Sequence, residues 1–162
     1  PIQMIAVADS AFKKEDEDAL VMRGCAIALA HKEMDSNGVP KFRVHVLEYF
    51  SKRQRHVVRS TLAAELFNLV DAVDLGFLFL SFYEEVIRGP KQTAELLVRM
   101  RAQEAFLDCM SIFTASKATV SKYPVKRSTL HHVQWVRELF DSKILSALTW
   151  TDTRDMTADG HT

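Results

Sequence analysis

The sequence predicts an α/β fold: a five-stranded mixed sheet, three antiparallel strands followed by alternating helix and strand, flanked by helices. Three observations carry that expectation. The first half holds three strand-like runs, and Asp35-Ser36-Asn37-Gly38-Val39-Pro40 is the clearest turn in the chain. A long apolar stripe at three- and four-residue steps follows, through Leu62, Leu66, Leu69, Val70, Val73, Phe77 and Leu80. Beyond Gly89-Pro90, helical segments alternate with two short strand candidates.

Taken in order, Gln3 to Ala8 reads as a buried strand ending at Asp9. The charged stretch from Lys13 to Asp18 suits a solvated hairpin or loop. Val21 to Ala30 is the second strand, with Gly24 a candidate bulge. Lys41 to Phe50 alternates Phe42, Val44 and Val46 against Arg43, His45 and Glu48, which completes an antiparallel meander. Ser60 or Thr61 offers a hydroxyl to cap the main helix, and Gly89-Pro90 ends it. Lys91 to Arg101 reads as a second helical segment. Ala105-Phe106-Leu107 is a short strand ending at Asp108, Met110 to Lys117 a short helix, and Thr129 to Phe140 an amphipathic one. Ile144 to Trp150 is the last strand, followed by a polar tail.

The 162 residues suffice for one domain with a real core, spanning 1–162, and an apolar content of 48% argues for a folded chain. With 21 basic and 21 acidic residues the formal charge is zero, which excludes a strongly basic nucleic-acid-coating domain. Any contact with nucleic acid must use a local patch. The two cysteines, Cys25 and Cys109, lack metal-type spacing and read as reduced thiols, placing the chain in an intracellular, reducing compartment, cytoplasm or nucleus. No transmembrane segment is expected, because the longest apolar run, Leu75 to Val86, is interrupted by Glu84 and Glu85. Pro1 in place of Met, with no signal peptide, suggests a processed fragment.

Four acidic residues fall where elements begin or end. Asp9 and Asp108 close strands, Glu65 opens the main helix, and Asp159 follows the last strand. Carboxylates gathered in this way suit hard divalent cations such as Mg²⁺, and a pair of ions can stabilise both the attacking water and the leaving oxygen of a phosphodiester. A basic cluster, Lys52, Arg53, Arg55, His56 and Arg59, lies between the third strand and the main helix.

These stretches resemble a family. Ser51-Lys52-Arg53-Gln54, followed by Arg59-Ser60-Thr61-Leu62-Ala63-Ala64-Glu65, is similar to the "SKRQ…SSTEAEY" motif of ribonuclease H domains in copia-type retrotransposon polyproteins. Val7-Ala8-Asp9-Ser10-Ala11-Phe12 resembles their "SDADW" strand end, and Leu107-Asp108-Cys109-Met110-Ser111-Ile112-Phe113 their "DNxSA" or "DCxSL" segment. The run from Trp150 to Gly160 resembles their closing "VPTxxQxADxLTK". The motifs occur in the family's order and cover nearly the whole chain.

The resemblance implies a ribonuclease H-like fold and a carboxylate tetrad, Asp9, Glu65, Asp108 and Asp159, holding two Mg²⁺ ions, with Mn²⁺ as a substitute. It implies hydrolysis of the RNA strand of an RNA–DNA hybrid beside the reverse transcriptase domain of the same polyprotein. Lys52, Arg53, Arg55 and Arg59 would position phosphates rather than read sequence, and the hybrid would be recognised by backbone shape and 2′-hydroxyls. The sequence departs from the pattern in places. The interval from Asp9 to Glu65 is long, Asp108 is followed by Cys109, and His161 stands where the family has Leu. Asp152 and Asp155 are alternatives to Asp159 as the fourth ligand. A competing expectation is a retroelement-derived, non-catalytic subunit of a larger protein assembly; the stretch Leu75 to Phe82, with Phe77, Phe79 and Phe82, is either deeply buried or offers a partner surface. His131 and His132, adjacent on one helix, cannot both face one metal, and Trp135 and Trp150 read as packing residues.

Overall fold

A computed structural model describes residues 2–12, 21–54, 60–90, 103–117 and 127–152. Its elements are β1 (Ile2–Phe12), β2 (Val21–Met34), β3 (Pro40–Arg53), α1 (Thr61–Arg88), β4 (Gln103–Leu107), α2 (Met110–Lys117), α3 (Arg127–Asp141) and β5 (Leu145–Trp150). The strands form one sheet in the order β3-β2-β1-β4-β5. β1, β2 and β3 are antiparallel neighbours, whereas β4 runs parallel to β1 and β5 parallel to β4. This is the mixed five-stranded sheet with flanking helices that the sequence predicts. The segment Lys91 to Arg101, the charged stretch after β1 and the tail from Thr153 lie outside the described residues.

The strands outrun the apolar segments that announce them. β1 continues through Asp9 to Phe12, and β2 extends four residues past Ala30 to Met34. The β2–β3 turn is held by Asp35, whose Oδ1 accepts from the N–H groups of Asn37 and Val39 at 2.8 and 2.9 Å. Gly24 is not a bulge: it pairs in register with Asp9 on one side and Ser51 on the other. The irregularity lies at Ile27/Ala28, where Leu47 is the extra residue of β3.

Ser60 caps α1, its Oγ accepting from Ala63 N–H at 3.3 Å, and Gly89 closes the helix with φ 81°. Leu66, Leu69 and Val73 of α1 pack with Ala105, Leu107, Ile112, Val136, Leu145 and Leu148 in the main core. Ala72 and Leu80 cover Met4, Ala6, Ala8, Cys25 and Ile27 on the first strands. At 28 residues α1 is long and apolar enough, by length and composition, to cross a membrane. The sequence expectation took the run from Leu75 to Val86, interrupted by Glu84 and Glu85. Here Leu66, Leu69, Ala72, Val73 and Leu80 are buried, while Leu78, Phe82, Val86 and Ile87 are exposed.

The opposite face of the sheet carries Ile5, Val7, Ala26, Ala28, Ala30 and Phe106, and the described clusters there contain only strand side chains. Phe42 meets Phe106 edge-on with centroids 6.2 Å apart.

Candidate metal centre

The parallel pairing of β1 with β4 creates the site. Ala8 lies beside Leu107, so Asp9 and Asp108 follow at the same end of adjacent strands. α1 approaches that end closely because its first turn is small: Ala63 and Ala64 pack against Val21 of β2. One residue further on, Glu65 points inward and is 5% exposed, while Asp9 is 4% exposed. Asp9, Glu65 and Asp108 each contribute a carboxylate oxygen to a group in which all lie within 4.8 Å of one another.

Three carboxylates this close, two of them buried, are costly without a counter-charge. The cost shows in Glu65, whose pKa rises from an ordinary 4.5 to about 8. Burial is the largest cause, and the nearby charges of Asp108 and then Asp9 add to it. Ser10 offsets part of the rise: its N–H and hydroxyl lie close enough to favour the Glu65 carboxylate, although the hydroxyl makes no hydrogen bond of good geometry.

Main-chain ties hold the carboxylates in place. Asn68, one turn after Glu65 on α1, is fully buried and donates from Nδ2 to the carbonyls of Asp9 and Gly24 at 2.5 and 2.9 Å. Trp150 Nε1 donates to Asp108 O at 2.8 Å, and Thr151 N–H to Leu107 O at 2.9 Å, so the end of β5 holds the chain at Asp108. Trp150 thus serves as a donor beside the site as well as a packing residue. Sequence reasoning missed Asn68 and Ser10. The available signs were an amide three residues after Glu65, on the same helix face, and a hydroxyl directly after the first aspartate.

Asp159 and its alternative Asp155 lie outside the described residues, as do Arg55, His56 and Arg59. Asp152 is described but is not among the three residues that converge. Lys52 and Arg53 form the end of β3, in register with Arg23 and Met22 of β2. Because Arg23 in turn pairs with Ser10, Lys52 sits two strands from the site, a span of about 10 Å at the usual strand spacing. Its Nζ lies 4.1 Å from the centroid of the Phe50 ring. His132 meets Phe67 edge-to-face at 4.7 Å, and neither His131 nor His132 belongs to the carboxylate group.

No protein-family model matches the chain, and no curated protein matches it in sequence. Solved structures do match in fold. RNase H1 from the halophilic archaeon Halobacterium salinarum NRC-1 superposes with a TM-score of 0.58 at 12% identity, covering 98% of this chain and 92% of that one. LC11-RNase H1, solved in complex with an RNA/DNA hybrid, gives 0.56 at 14% identity, with 98% and 92% covered. The N-terminal RNase H domain of a Mycobacterium tuberculosis protein gives 0.53 at 11% identity, with 99% and 94% covered. At such identities the likeness defines the fold alone: the chain has a ribonuclease H-like fold.

Proposed function

We propose that this chain is a ribonuclease H-type phosphodiester hydrolase that cuts the RNA strand of RNA–DNA hybrids, using divalent cations held by Asp9, Glu65 and Asp108. The observation that carries the proposal is the convergence of these carboxylates at adjacent strand ends of a ribonuclease H-like sheet. An all-oxygen, all-carboxylate donor set suits Mg²⁺, with Mn²⁺ as a substitute. It fits the electrostatics too, since a cation would offset the burial and the neighbouring negative charges that together raise the pKa of Glu65. Two bound ions would supply Lewis-acid activation of the attacking water and neutralise charge at the scissile phosphate. The protein's own part is to hold the carboxylates at fixed spacing.

Asp159 is proposed as the fourth ligand, and Lys52, Arg53, Arg55 and Arg59 as phosphate contacts along the hybrid. The hybrid bound by LC11-RNase H1 is carried over here as the proposed substrate. The motif resemblance further supports an origin in a copia-type polyprotein, beside a reverse transcriptase domain and in a reducing compartment.

A second reading, a non-catalytic subunit of a larger assembly, is favoured by one observation. Leu78, Phe82, Val86 and Ile87 are exposed along the second half of α1. Mg²⁺-dependent cleavage of an RNA–DNA hybrid, with Asp108→Asn as control, separates the two. Cleavage lost in the control supports the hydrolase. A folded chain that neither cleaves the hybrid nor binds Mn²⁺ supports the subunit.

A further inference from the structure

We propose that Asn68 is a positioning residue of this site: its amide ties β1 at Asp9 to β2 at Gly24 and so sets the Asp9 carboxylate against Glu65 and Asp108. The inference rests on the hydrolase reading and deepens it.

Asn68 is 0% exposed, on a face of α1 that it shares with the buried Ala64, Glu65 and Ala72. An amide is an expensive choice there, and its Oδ1 has no hydrogen-bond partner. Filling space would be done better by a leucine. What the amide contributes is two N–H donors, and both are used, on carbonyls of two different strands. Those acceptors also fix which way the amide faces, because only its NH₂ can satisfy a pair of carbonyls.

Residues three apart on a helix share a face. A single turn of α1 therefore controls two of the three carboxylates by different means. Glu65 is delivered by its own side chain, and Asp9 by the grip of Asn68 on its main chain. Repulsion between the acidic groups in the cation-free site would drive Asp9 to retreat from Asp108, because the β1–β4 pairing ends one residue earlier, at Ala8 and Leu107. Asn68 opposes that retreat, so the spacing exists before a cation arrives.

The test compares wild type with Asn68→Leu, which fills the space without donating, and Asn68→Ser, which is smaller and keeps one donor. Leu80→Ala is the control, a buried truncation further along α1 whose side chain packs in the β1–β2 cluster. Mn²⁺ affinity by electron paramagnetic resonance and amide exchange across Asp9–Ala11 and Gly24–Ala26 are the readouts. The expected result is at least a tenfold loss of Mn²⁺ affinity in Asn68→Leu and a smaller loss in Asn68→Ser. Faster exchange in those two segments should accompany it, with β4 and β5 unchanged. The Mg²⁺ concentration for half-maximal cleavage should rise while KM for the hybrid holds. Wild-type affinity in both Asn68 variants overturns the inference alone, as does an equal loss in Leu80→Ala, which would make the effect one of stability. A wild-type chain that binds no Mn²⁺ overturns the hydrolase reading and takes this inference with it, a failure visible without any variant.

Discussion

Gly76 on α1 and Gln103 at the start of β4 compete for one space: a Cβ on the glycine would overlap Gln103 Oε1. The carboxamide is not free to swing aside. It is fully buried, and its Nε2 donates to Val73 O at 3.0 Å. Alanine in place of glycine normally gains about 1 kcal/mol inside a helix. Gly76→Ala should instead destabilise the fold by about 1–3 kcal/mol, the usual cost of overpacking. Urea unfolding reads the sign directly, and unchanged stability would mean that α1 and β4 separate more easily than this contact implies.

Glu65 predicts a pH dependence of stability. Its pKa is raised in the folded, cation-free chain from 4.5 to about 8, so between those values the folded state holds a proton that the unfolded state has released. Stability is then highest at the acid end of that window and falls as pH rises through it, with a limiting slope of about 1.4 kcal/mol per pH unit for one proton. Melting temperature measured in chelator from pH 5 to 8 should show the decline. Glu65→Gln should flatten it, and Mg²⁺ at pH 8 should raise the melting temperature of wild type more than that of the variant.

The cap of α1 is the next point of leverage. Ser60→Ala removes the acceptor for Ala63 N–H and should cost about 1 kcal/mol. In a domain of this size that is about 2–4 °C in melting temperature. Ser60→Asp retains an acceptor and should remain within a few tenths of a kcal/mol of wild type by the same cap preference. Equal losses in the two variants would show that the cap bond contributes nothing.

The two cysteines should differ in reactivity. Cys25 is 0% exposed and burial pushes its pKa up to about 12, whereas Cys109 is half-buried with a pKa raised chiefly by burial. The thiolate is the reactive form. A disulfide reagent at pH 8 should label Cys109 slowly and Cys25 only on unfolding, as mass spectrometry of the labelled peptides would reveal. Rapid labelling of Cys25 in native buffer would contradict the packing of β1, β2 and α1 around it.

Much of this architecture is legible before any coordinates. The stripe from Leu62 to Leu80, the Ser60 cap and Gly89 bound α1 correctly, because helix period and helix ends both leave local marks. Strand ends were less legible. Hydrogen-bonded pairing carries β1 past its apolar run to Phe12 and the β2–β3 hairpin out to Asp35, and pairing asks nothing of side-chain polarity. Gly24 invited a bulge that the ladder places at Leu47 instead. Asp9, Glu65 and Asp108 could be nominated from their places at element ends. Their approach to within 4.8 Å depends on the β1–β4 pairing, which no local pattern encodes. Asn68 stayed hidden for the same reason, since its acceptors are main-chain atoms 59 and 44 residues away.

That pairing also orders the assembly of the domain in time. The β2–β3 hairpin closes through a short turn and can form early, but Gln3 and Glu104, which bond across β1 and β4, are separated by 101 residues. Contacts of such long range are slow, because the entropy of closing the loop is lost before the contact stabilises anything. Asp108 is therefore expected to reach Asp9 late in folding. A partly folded chain with its hairpin and α1 in place still lacks the carboxylate group, so cation affinity reports completion of the fold rather than its beginning.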